Sequence, residues 1–98
     1  MNKPFEVRWT ARSLINAQDI RDYLIRKFTI KEAEDFLKLL SQFEQAISLF
    51  PELYPATNSY PNLRKAVLHK NTSVYYSVEK DSIIVVAMQD NRQLKPGR

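Results

Sequence analysis

The chain of 98 residues has no cysteine, one histidine and one glycine. Without cysteine there are no disulfides and no thiolate zinc sites. A single histidine cannot furnish a histidine-rich metal site, so no structural metal is expected. With Gly97 as its only glycine, the chain has neither a phosphate-cradling loop nor the G-x-G-x-x-G fingerprint of dinucleotide sites, and no cofactor is expected. It also lacks the strand–turn–helix nucleophile elbow of the hydrolases. No apolar run approaches the ~20 residues of a membrane helix. The opening Met-Asn-Lys-Pro-Phe-Glu does not read as a secretory signal. These absences lead to the expectation of a soluble, cytoplasmic protein with no membrane partner.

What is present fits a globular chain. Hydrophobic residues make up 44% and charged residues 27%. The length predicts a single domain, 1–98, with a modest core. The net charge of +4 is unevenly placed. Residues 1–61 hold eight cations and eight anions, whereas residues 62–98 hold seven cations and three anions. A basic C-terminal third suggests an acidic or polyanionic partner there, and equally suits a merely soluble surface.

Phe5, Val7 and Trp9 alternate with Glu6, Arg8 and Thr10, which predicts a half-buried strand. Thr10 is a natural N-cap for a helix reaching Phe28. Its predicted inward stripe is Leu14, Ala17, Ile20, Leu24 and Phe28. Thr29-Ile30-Lys31-Glu32 reads as a capping box, with the glutamate reaching back to the threonine amide. A second helix follows to Phe50, where Pro51 stops it. Its stripe is Ala33, Leu37, Leu40, Ile47 and Phe50, widened by Phe36, Leu39 and Phe43. The short link favours an antiparallel helical hairpin. A surface crossing from Pro51 to Pro61 leads to three strands: Leu63–His69, Val74–Glu79 and Ile83–Met88. Lys70-Asn71-Thr72 and Lys80-Asp81-Ser82 are the expected turns. The order β-α-α-β-β-β predicts a two-layer α+β fold, with the helical hairpin on one face of a small, mainly antiparallel sheet. The other face stays open.

The basic sheet from Asn62 to Arg98, ending in Asp90-Asn91-Arg92-Gln93, is where function is expected. Arg64, Lys65, His69, Lys70, Tyr75, Tyr76, Arg92 and Gln93 lie on or beside it. Arginine and lysine suit phosphate, tyrosine offers a stacking surface, and histidine can carry a proton near neutral pH. Together they could bind RNA and cleave a phosphodiester. Each also has a plainer reading. Tyr76 shares a face with Val74 and Val78 and suits the core, His69 suits a solvated turn, and Arg64 and Lys65 point to opposite faces. An Asp90–Arg92 bond that finishes the strand is as good a reading of the last cluster as a site. The carboxylates fall mainly on the helices, with no inward pair for glycoside hydrolysis.

The whole chain resembles the RelE/ParE superfamily, the toxin halves of bacterial type II toxin–antitoxin systems. The resemblance rests on Val7-Arg8-Trp9-Thr10-Ala11, Phe50-Pro51-Glu52-Leu53 and Leu63-Arg64-Lys65-Ala66-Val67. It extends over Val74-Tyr75-Tyr76-Ser77-Val78 and Asp90-Asn91-Arg92-Gln93 with Pro96. It implies a toxin neutralised by a cognate antitoxin, in a toxin–antitoxin hetero-oligomer. It also implies one of two targets, mRNA on the ribosome or DNA gyrase. If the chain is a RelE-like ribonuclease, Arg64, Lys65, His69 and Arg92 are the candidate catalytic residues. Lys70, Tyr75, Arg92, Gln93 and Lys95 are the candidates for binding target or nucleic acid. Ser73 stands where those nucleases place an arginine, and their tyrosine beyond the last strand has no counterpart. The expectation is therefore a ParE-like gyrase inhibitor, slightly ahead of a ribosome-dependent mRNA endonuclease. A non-toxic, degenerate binding module is the third reading.

Overall fold

A computed structural model describes residues 3–58 and 62–94. The elements are β1 (Glu6–Trp9), α1 (Ala11–Lys27), α2 (Ile30–Leu49), β2 (Leu63–His69), β3 (Thr72–Val78), β4 (Ser82–Asp90) and a one-turn α3 (Asn91–Leu94). The four strands form one sheet in the order β1-β4-β3-β2. β1 runs parallel to β4, and the other two pairings are antiparallel. Both long helices pack on one face, so the expected two-layer α+β architecture is the one observed. β3 and β4 begin before the expected positions, and β4 runs on to Asp90. Thr72, expected in a turn, is the first residue of β3. α3 was not foreseen. No helix among the described residues is long and apolar enough to cross a membrane.

Local chemistry explains the helix starts. Thr10 sits in extended backbone, and its hydroxyl oxygen accepts the Ser13 amide at 3.1 Å. Thr29 does the same for the Glu32 amide at 3.1 Å. Each buried face keeps part of the expected stripe and departs from it elsewhere. Ser13, Ile20 and Leu24 are buried on α1, whereas Leu14 and Phe28 are about half exposed. Ser13 tolerates burial because its hydroxyl donates to the Thr10 carbonyl at 2.8 Å. On α2 the buried set is Ala33, Phe36, Leu40, Phe43 and Ile47, while Leu37 and Phe50 are exposed. Apolar residues occupy both adjacent phases of each helix, so sequence spacing alone could not choose between them.

Tyr76 is fully buried and anchors the sheet against α2. Its ring meets Phe43 edge-on at 5.7 Å and Tyr54 at 6.5 Å. Its hydroxyl donates to the Pro51 carbonyl at 2.8 Å, so the polar end is satisfied. Burial raises its pKa above the ordinary tyrosine value. The crossing after α2 is tied to β2: Lys65 N–H donates to the Pro55 carbonyl at 3.1 Å, and Thr57 N–H to the Leu63 carbonyl at 2.8 Å. Those bonds cover the outer edge of β2 over its first half.

One irregularity sets the position of the C-terminal cluster. Tyr75 pairs with Ala87 and Tyr76 with Val85, which leaves Val86 as an extra residue in β4. Before this bulge Ile83 and Val85 are buried; after it Met88 and Asp90 are buried. Strand side chains alternate, so one added residue turns Asp90 from the open face to the helix face. α1 supplies partners for backbone groups at the bulge. The Thr10 hydroxyl donates to the Val86 carbonyl at 2.9 Å, and Asn16 Oδ1 accepts the Met88 amide at 3.1 Å.

Candidate functional site

Asp90 is fully buried, and Arg92 grips it with two teeth. Arg92 Nε donates to Oδ1 at 3.0 Å and Nη2 to Oδ2 at 2.8 Å. The Arg92 backbone N–H also donates to Oδ1 at 3.0 Å, and the Thr72 hydroxyl donates to Oδ2 at 3.3 Å. Burial pushes the Asp90 carboxyl upward. The Arg92 hydrogen bonds and charge, with Thr72, outweigh it and hold the group below the usual carboxylate range. The Asp90 bond in turn raises the Arg92 pKa.

Further contacts fix the rest of Arg92. Nη1 donates to Glu32 Oε1 at 3.4 Å, and the guanidinium lies 5.3 Å from the centre of the Phe28 ring. Tyr23 donates from its hydroxyl to the Arg92 carbonyl at 3.1 Å. Asn91 N–H donates to the Asn71 carbonyl at 2.7 Å. Arg92 thus joins the end of β4 to the turn between α1 and α2, while Asn91 and Asp90 join it to the β2–β3 hairpin. Glu32 was expected to complete the capping box by reaching back to Thr29. Its carboxylate turns to Arg92 instead, so only the threonine half of that box forms.

Beside Arg92 lies a cleft of about 580 Å³. Phe36 and Leu39 of α2 line it, together with Glu32 and Asp35. His69 and Lys70 come from the hairpin tip. The formal charges that line it cancel: Lys70 and Arg92 stand against Glu32 and Asp35. Lys31 bonds Asp35 at 3.1 Å. A phosphate entering here meets two carboxylates for the two cations that line the cleft, so the cleft has no electrostatic preference for an anion.

The other candidates lie elsewhere. Arg64 shares the helix-side parity of Ala66, and its Nη1 donates to the Tyr54 carbonyl at 2.6 Å. Lys65 is exposed on the open face, its Nζ 5.8 Å from the centre of the Tyr75 ring. The Tyr75 hydroxyl points to Gln89 Oε1 at 3.5 Å. Gln93 is half-buried in α3. Lys95 lies outside the described residues. Of the four candidate catalytic residues, only His69 and Arg92 share a place. An acid–base pair must lie within hydrogen-bond reach of one reacting group, and this set is divided among three sites. Among the described residues no three His, Cys, Asp or Glu come together as metal ligands. The sequence reading missed the roles of Phe28, Glu32 and Thr72 around Arg92; only the threonine–glutamate spacing of the cap drew attention to Glu32.

Comparison with protein-family models finds no match, and neither does comparison with curated protein sequences. Solved structures do match. The chromosomal ParDE TA system from P. aeruginosa superposes with a TM-score of 0.74 at 14% identity, over 88% of this chain and 95% of that one. The E. coli DinJ-YafQ toxin-antitoxin complex gives 0.66 at 8% identity, over 95% and 99%. A conserved hypothetical protein from Helicobacter pylori gives 0.60 at 12% identity, over 90% and 96%. The chain therefore has the fold that the RelE/ParE resemblance implies, at identities where fold is what is shared.

Proposed function

We propose that this chain is the toxin of a type II toxin–antitoxin pair, and that it arrests growth in the cytoplasm by binding a protein target, DNA gyrase, rather than by cutting mRNA. The fold, shared along most of the length of a ParDE component, supports the toxin reading. The observation that favours binding over catalysis is Arg92. The residue best placed to serve a ribonuclease has its guanidinium held by a buried carboxylate and a second acid. The partner is a cognate antitoxin. Exposed Leu14, Ile15, Ile25 and Leu37 on the helical hairpin, with an apolar depression of about 640 Å³ beside Phe50 and Leu53, offer it surface to bury.

One observation favours the ribonuclease alternative: His69, Lys70 and Arg92 line one cleft. Brief induced expression separates the two readings. The gyrase reading expects growth arrest, accumulated cleaved DNA and intact mRNA, with growth restored by the antitoxin. Cleaved translated mRNA without DNA damage selects the ribonuclease. Unimpaired growth with abundant folded protein removes both.

A further inference from the structure

The two sheet edges are finished differently. The chain's own crossing covers β2 along its first half, whereas among the described residues the bonds that cover β1 lie at its start. There Phe5 N–H donates to the Ser48 carbonyl and the Ser48 hydroxyl donates to the Phe5 carbonyl, both at 2.8 Å. Thr10 N–H reaches the Val85 carbonyl across the β1–β4 seam at 3.0 Å. Even-numbered residues of β1 therefore direct their backbone groups inward to β4, and odd-numbered residues direct theirs outward. Val7 consequently presents both its N–H and its C=O to the outside, where a groove of about 380 Å³ runs between β1 and α2.

The residues around Val7 are ordered Phe5, Glu6, Val7, Arg8, Trp9, a pattern that complements its own reverse. Glu6 and Arg8 project to the open face with side chains 64% and 63% exposed, and bond only each other, at 3.2 Å. We infer that β1 is a self-pairing edge, and that a second copy of this chain is its occupant. In an antiparallel pair about a two-fold axis at Val7, each Val7 faces its own counterpart and exchanges two backbone hydrogen bonds with it. Each Glu6 then stands directly opposite an Arg8 of the other copy. The one exposed pair within each strand gives way to two pairs across the strands, at the closer, non-hydrogen-bonded positions. An edge protected by charges of one sign would repel its own copy. This edge carries both signs in the order that two-fold pairing matches. Ser48 closes the edge at Phe5, so the ladder is short and the association weak.

Sedimentation velocity on the purified full chain, from micromolar to millimolar concentration, tests this. The parent and the double swap Glu6→Arg with Arg8→Glu are expected to move from monomer to dimer. Either single reversal, Glu6→Arg or Arg8→Glu, is expected to stay monomeric while keeping the parent's circular dichroism. A parent that stays monomeric throughout overturns the inference, as do single reversals that dimerise like the parent. Amide exchange at Val7 gives a readout that needs no variant. Its protection is expected to rise with protein concentration. Exchange that is independent of concentration, or that slows only when an antitoxin is added, overturns self-pairing and assigns the edge to the partner's strand.

Discussion

Arg92 holds Asp90 through two parallel N–H···O bonds of 3.0 and 2.8 Å, and the carboxylate has no solvent exposure at all. The arginine side chain keeps 22% of its own. An ion pair so placed adds little net stability over an apolar pair, because both charges lose water to form it. Removing Arg92 is another matter, since Asp90 then stays buried without its counter-charge. Arg92→Ala is expected to lower unfolding stability by about 2–4 kcal/mol in urea titrations. Arg92→Lys, which keeps the charge and loses the fork, is expected to fall in between. An Arg92→Ala variant as stable as the parent contradicts this reading of the pair.

The same pair shapes the acid limb of the stability curve. The folded pKa of Asp90 lies below its unfolded value of 3.8. Its contribution is therefore fully present above the unfolded value, and is lost as pH falls through the folded one. Urea midpoints measured from neutral to strongly acidic pH should fall less steeply for Asp90→Asn than for the parent. The substitution should also lower stability at neutral pH. Parallel acid limbs would show that Asp90 does not contribute.

Thr10 has two duties, capping α1 and meeting the Val86 carbonyl at the bulge. Thr10→Ser keeps both and is expected to be nearly neutral. Thr10→Val loses both, at a cost of about 1–3 kcal/mol. Equal melting curves for the two variants would contradict the double role.

The Tyr76 hydroxyl reaches the Pro51 carbonyl from within the core. Tyr76→Phe leaves that carbonyl without this partner and is expected to cost about 0.5–1.5 kcal/mol in denaturant unfolding. The ring remains against Phe43, so the far larger loss expected of Tyr76→Ala is not reached. A Phe variant as weak as the Ala variant would show that the hydroxyl, not the packing, governs the site.

Much of this was legible in the residues. Thr10 and Thr29 announced the helix starts, Pro51 a helix end, and the alternation around Tyr76 a strand with one buried face. The Asp90–Arg92 bond was one of two open readings. The bulge was hidden because Ile83 to Met88 is apolar throughout, so no break in alternation marks the extra residue Val86. Ile20, Leu24, Ala33, Leu40 and Ile47 are buried as their spacing implied, but Leu14 and Leu37 compete with Ser13 and Phe36 as inward residues, and only packing against the sheet decides. The contacts of Arg92 with Glu32 and Phe28 join parts of the chain separated by some 60 positions, and no local pattern encodes them.

Growth arrest by binding and not by catalysis is tested by adding the purified chain to two reactions side by side: supercoiling by DNA gyrase, and translation of a defined mRNA on ribosomes. If the chain acts by binding gyrase, supercoiling stops, cleaved DNA accumulates and the mRNA stays whole. Cuts in the translated mRNA, reduced at least tenfold by Arg92→Ala (~1.4 kcal/mol of transition-state stabilisation) while gyrase works normally, would contradict it.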